Sequence, residues 1–110
     1  MNDKTIEQEI VAAGANVAPR VTLTDLEANI ADTEIVKHVS KSGQVLRWAV
    51  ITTRSGFAVA GKPSCAASSA NDDAAIGEQL ALDNARNELW PLMGYALKES
   101  LSADKIGGAA

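Results

Sequence analysis

The run from Asn71 to Leu101, NDDAAIGEQLALDNARNELWPLMGYALKESL, limits what this chain can fold into more than any other stretch. Its apolar residues recur at helical spacing. Ala74, Ala81, Leu82, Ala85, Leu89, Leu92 and Ala96 fall on one broad stripe, and Ile76 and Leu80 fall almost opposite. A helix that is apolar on two sides lies between two layers. One side is expected to cover a sheet, and the other to meet the N-terminal helix or another subunit. Pro91 lacks an amide hydrogen, so the helix is expected to end or kink at Trp90-Pro91 and resume through Tyr95 to Leu101. Asn71 or Asp72 is the expected cap at its start.

The sheet for this helix to cover is written upstream. Val45 to Thr53, VLRWAVITT, is β-branched and apolar on both faces, as a central strand is. Glu34 to Ser40 alternates more loosely, with Ile35 and Val39 on one face, and Phe57 to Gly61 is short and apolar. Ser42-Gly43 and Ser55-Gly56 are tight-turn signals between them. Three strands joined by short turns make an antiparallel meander. Pro63 to Asp72 reads as a loop of small residues. Before the strands, Thr22 with Asp25 three residues on marks the start of a two-turn helix ending near Ala31. Thr5 to Ala13 has Ile6, Ile10 and Val11 on one side and Gly14 as a stop; at about ten residues it is marginal alone, so it either docks or is disordered. The whole predicts an α+β protein, a three-stranded antiparallel β-meander packed against a long C-terminal helix with one or two short N-terminal helices. Residues 1–20 are expected to be a short helix and linker, 21–101 one domain, and 102–110 a disordered tail. The expected core is Trp90, Leu89, Ala85, Leu82, Phe57, Val59 and Val50. Ile76 and Leu80 are left for an oligomer interface.

A chain of 110 residues holds one modest core. Its net charge of −4 argues against direct nucleic-acid binding, which shows as a basic patch. The single cysteine, Cys65, forbids an intrachain disulfide and a cysteine-based metal cluster, and a reducing compartment suits it. No apolar run approaches the ~20 residues of a membrane helix, and no signal-peptide core is present. A cytosolic protein is expected, without cofactor or metal.

Few side chains suggest chemistry. Cys65 and His38 are the one pair that could support a nucleophile, yet they are far apart in sequence, and a small buried thiol with a solvent-facing strand histidine is the favoured reading. Asp72-Asp73 reads as a helix cap and dipole partner ahead of a metal or acid–base pair. Gly56 and Gly61 do not form a phosphate-binding pattern. Lys37, Lys41, Arg47 and Lys62 lie on or beside strands. Arg47 alternates with Val45 and Ala49, which places it on the open face of the sheet. A solvated surface is the plain reading of these cations. The sharper reading is a site for a small anionic ligand, drawn from Arg20, Arg47, Trp48, Lys62 and Tyr95, with the aromatics as stacking planes.

Val17-Ala18-Pro19-Arg20-Val21-Thr22, Ser55-Gly56-Phe57-Ala58-Val59-Ala60-Gly61, Ser64-Cys65, Ala75-Ile76-Gly77, Asp83-Asn84-Ala85 and Leu89-Trp90-Pro91-Leu92-Met93-Gly94-Tyr95 occur in order. This ordered set resembles a family of small phage proteins named after gene products 49 and 66 of two podophages. The match runs from about Ala13 to Leu101. The family turn is Asn-Gly where this chain has Ser55-Gly56, and the family often has a basic residue where this chain has Glu78, which weakens any phosphate grip by that side chain. The resemblance implies a phage or prophage accessory protein working in the cytoplasm of the host bacterium. By analogy with small early phage proteins, the expected action is non-enzymatic: a homo-oligomer that captures a host protein or a nucleotide immune signal, and so counters host defence. A structural or assembly component of the virion is the alternative, and a small enzyme ranks last.

Overall fold

A computed structural model describes residues 3–14 and 18–109 of the chain. The architecture is α+β, with the order α1 (Asp3–Ala12), α2 (Leu23–Ala28), β1 (Ile30–Val39), β2 (Val45–Thr53), β3 (Ala58–Ala60), β4 (Ser64–Cys65) and α3 (Ala74–Ala109). The chain divides into two compact units, one from the residues up to Ala28 with those from Trp90 onward, the other Asn29–Leu89. The helix α3 continues beyond Leu101, where a disordered tail was expected, and Pro91 lies inside it.

In the second unit β2 is central. It pairs antiparallel with β1 along its length, from Ile30 opposite Thr53 to Val39 opposite Val45. Its other edge takes β3 at Val50–Thr52 and then β4 at Leu46–Arg47. Between β3 and β4, the three residues Gly61, Lys62 and Pro63 span two residues of β2, a bulge of the kind that shifts register by one. The turns hold the backbone that their sequences require. Gly43 and Gly56 have φ of 89° and 88°, and each donates its amide to a residue three back, Ser40 and Thr53.

Alternation along β2 divides the sheet into two faces. Arg47, Ala49, Ile51 and Thr53 are buried, while Leu46, Trp48, Val50 and Thr52 are half-buried on the opposite side. The buried row lies on the side of α3, whose Ala81, Ala85 and Leu89 are also buried. Small residues allow helix and sheet to approach closely. A methyl group added at Gly61 would stand 2.6 Å from the Cα of Ala85, so glycine is required there. The expected core is partly displaced. Leu89 and Ala85 are buried, whereas Leu82, Val50, Val59 and Trp90 are half-buried. Phe57 is 59% exposed, because it occupies the turn before β3 and its carbonyl accepts the Thr53 amide there.

In the first unit, α1 stops where Gly14 turns into positive φ, 72°. The α2 start is a reciprocal cap. The Asp25 amide donates to Thr22 Oγ1 at 3.1 Å, and the Thr22 amide donates to Asp25 Oδ2 at 2.9 Å. Leu26 is fully buried, and α2 ends at Ala28, half a turn or more before the expected Ala31, because β1 begins at Ile30.

Candidate functional site

The polar centre of the second unit lies where β2, β4 and the start of α3 meet. Arg47 is only 5% exposed. Its register places it on the helix side with Ala49 and Ile51, which corrects the expectation of an open-face arginine. A buried charge must be paired, and Asp72 supplies the partner. Nη1 donates to Oδ1 at 2.6 Å and Nη2 to Oδ2 at 3.0 Å, a two-pronged bond. That hydrogen bonding lowers the Asp72 carboxyl from its ordinary value and raises Arg47, with the nearby charges adding to both effects.

Two residues make room for this pair. A methyl at Gly77 would lie 2.9 Å from Arg47 Nη1 and 3.5 Å from Ser64 Oγ. Ser64 Oγ in turn donates to the Gly77 carbonyl at 2.7 Å, tying β4 to the first turn of the helix. With Asp72 engaged by Arg47, the cap falls to Asp73, whose Oδ1 accepts the Ile76 amide at 3.1 Å. The expected caps Asn71 and Asp72 are thus one or two residues early, since α3 begins at Ala74.

A cleft of about 140 Å³ opens here, lined by Ser64, Asn71, Asp72, Ile76, Gly77 and Leu80 among others. Ser64, Arg47 and Asp72 are bonded within the fold. Of the other lining side chains, Ile76 is 62% and Leu80 51% exposed in the chain by itself, beside the exposed Cys65, Asn71 and Asp73.

The proposed anion-site residues are divided between the two units. Arg20 and Tyr95 belong to the first unit, and Arg47, Trp48 and Lys62 to the second. Arg47 and Trp48 point to opposite faces of the sheet. Arg20 is held by Glu7, Nη1 to Oε1 at 2.8 Å and Nη2 to Oε2 at 3.1 Å. Lys62 is exposed, and its carbonyl accepts from Asn84 Nδ2 at 2.9 Å. Tyr95 is 68% exposed. His38 and Cys65 both lie opposite Leu46, on its two sides. They share a face two strand spacings apart, about 9.6 Å between backbones, and Cys65 is exposed. Among the described residues, no cluster of three or more His, Cys, Asp or Glu side chains could hold a metal, and no helix is long and apolar enough to cross a membrane.

A three-stranded meander under one long helix, with an arginine–aspartate lock at the helix start, defines a small α+β protein of the helix-on-sheet kind. The chain belongs to the Phage protein (N4 Gp49/phage Sf6 gene 66) family, whose model matches residues 21–101. Two of the glycines that carried the resemblance have physical duties: Gly61 lies against Ala85, and Gly77 lies over Arg47 and Ser64. No curated protein and no solved structure matches the chain.

Proposed function

We propose that this phage protein acts by non-enzymatic binding in the cytoplasm of the infected host, through the Ile76–Leu80 face of α3. The observation that supports this reading is the pairing of two large aliphatic side chains, four residues apart and more than half exposed, beside polar groups that are bonded to one another. Such a face suits a protein partner, either a second copy in a homo-oligomer or a host protein whose capture disables a defence. A nucleotide signal is the weaker candidate, because Arg20 and Arg47 are each neutralised by a carboxylate.

Light scattering across a concentration series tests the self-association. The wild-type chain is expected to associate, and Ile76→Glu with Leu80→Lys is expected to leave a folded monomer whose melting temperature no longer depends on concentration. A wild-type monomer at high concentration would remove the homo-oligomer. Thermal melts with cyclic nucleotides test the other capture. A ligand at a hundredfold excess over Kd stabilises by about 2.7 kcal/mol, and no shift is expected. Recovery of the protein in purified virions by mass spectrometry would favour a structural or assembly component over a captor.

A further inference from the structure

The edge of the sheet that β1 presents is an interaction surface separate from the Ile76–Leu80 face. The Ser40 amide donates to the Gln44 carbonyl at 2.8 Å, and the pairing runs back from there without a shift to Asp32 opposite Thr52. Bonded pairs alternate in an antiparallel ladder, so the even-numbered residues of β1 turn their amides and carbonyls to β2. Those of Thr33, Ile35, Lys37 and Val39 point away from the sheet, in a row that accepts another strand. We propose that this row takes the same row of a second copy, antiparallel and centred on Val36.

The centre follows from the geometry. Opposed residues share a face, and a twofold axis normal to the sheet keeps each face, so even numbers meet even and odd meet odd. The regular stretch from Asp32 to Ser40 has Val36 at its midpoint, and only that register uses all of it. Centring on Ile35 would call on Ala31, inside the irregularity between Ile30 and Asp32, to face Val39. Charge selects the same register. About Val36, Glu34 of each copy faces His38 of the other, and Asp32 faces Ser40. Centring on Glu34 or on Lys37 sets like charges directly opposite, which is destabilising. Val36 is half-buried beside Trp48 and meets its own counterpart at the axis. On the side of α3, Ile35 and Val39 are 37% and 52% exposed in the chain by itself, and they gain cover from the stem of Lys37 and the methyl of Thr33. Two strand edges bury few apolar atoms and are marginal alone. This contact is therefore weaker than the helix face, and a chain without the Ile76–Leu80 contact still scatters light as a monomer.

Disulfide trapping reads a weak contact and its register together. Val36→Cys, Glu34→Cys and His38→Cys are made singly in the full chain with Cys65→Ser, and oxidised glutathione is the oxidant. Residues opposed at these positions have Cα atoms about 4.5 Å apart, within disulfide reach. Glu34 and its own counterpart are four residues out of step, about 14 Å along the strand, and so are the two His38 residues. Val36→Cys is expected to become a covalent dimer on a non-reducing gel. Glu34→Cys and His38→Cys, although more exposed, are each expected to stay monomeric alone and to link to one another when mixed. Adding Ile76→Glu and Leu80→Lys should leave these links in place, which separates the contact from the α3 face; their loss there would overturn it. Equal linking at all three positions would mark random encounters and overturn the pairing. Self-linking through Glu34→Cys or His38→Cys would overturn the register. No link in any folded variant would leave the edge to a foreign strand and overturn the pairing of copies. Should Val36→Cys fail to fold, the mixture of the Glu34 and His38 variants, both at exposed positions, decides the matter.

Discussion

Gly61→Ala puts the close approach of sheet and helix to a quantitative test. The added methyl would lie 2.6 Å from Ala85 Cα and 2.7 Å from the carbonyl carbon of Asn84, where non-bonded carbons rest at about 3.5–4.0 Å. The shortfall is about 1 Å, and every colliding atom is backbone, so no side-chain rotation relieves it. Overpacking of this kind costs about 1–3 kcal/mol, and the rigid neighbour places the value near the top of that range. Replacing glycine by alanine also restricts the unfolded chain, which offsets roughly 0.4–1 kcal/mol. The net loss is then about 2 kcal/mol, and at about 4–8 °C per kcal/mol the melting temperature falls by about 8–16 °C. Calorimetry or circular-dichroism melts measure it directly. Adding Ala85→Gly should not restore the loss, since the clash is with the main chain. A Gly61→Ala protein that melts at or above the wild-type temperature would refute the close packing of β3 and α3.

The same substitution at Gly94 should have the opposite sign: the site is helical and a methyl there meets nothing within 4 Å, so Gly94→Ala should stabilise by about 0.5–1 kcal/mol in a thermal melt. Leu89→Ala removes one of the largest fully buried side chains and should cost about 2–5 kcal/mol in urea unfolding. Asp72→Asn tests the lock with Arg47. The folded carboxyl is held low by that hydrogen bonding, so its stabilisation is full above the ordinary aspartate value of about 3.9 and declines as acid protonates the folded group. The stability difference between wild type and Asp72→Asn should therefore be flat at neutral pH and shrink on acidification; a difference that widens toward low pH would contradict the assignment.

Much of the fold was legible from local pattern. The bounds of β2 follow from a run rich in β-branched and apolar residues, and the turns at Gly43 and Gly56 from the need for positive φ. The Thr22–Asp25 cap is a spacing that any reader of the chain can find. What was not legible depends on distant partners. β4 is two residues long and exists because Ser64 and Cys65 pair with Arg47 and Leu46, and nothing in Pro63 to Asp72 announces this. Arg47 gave a signal that the reading placed on the wrong face: in a strand with apolar residues on both sides, a cation has to find a carboxylate. Which carboxylate, Asp72, was beyond local reasoning. Phe57 was misplaced because its apolar character spoke for burial while its position next to Gly56 spoke for a turn.

The bulge between β3 and β4 bears on how the sheet meets other strands. Along that border the outward row of amides and carbonyls is interrupted, and Pro63 has no amide to offer. Among the described residues, β1 from Asp32 to Val39 forms the longest continuous border, after a register shift between Ile30 and Asp32. A visiting strand can therefore zip on from one direction. Two copies joined through β1 would consume each other's one usable margin, so the sheet could double but could not lengthen into a fibre.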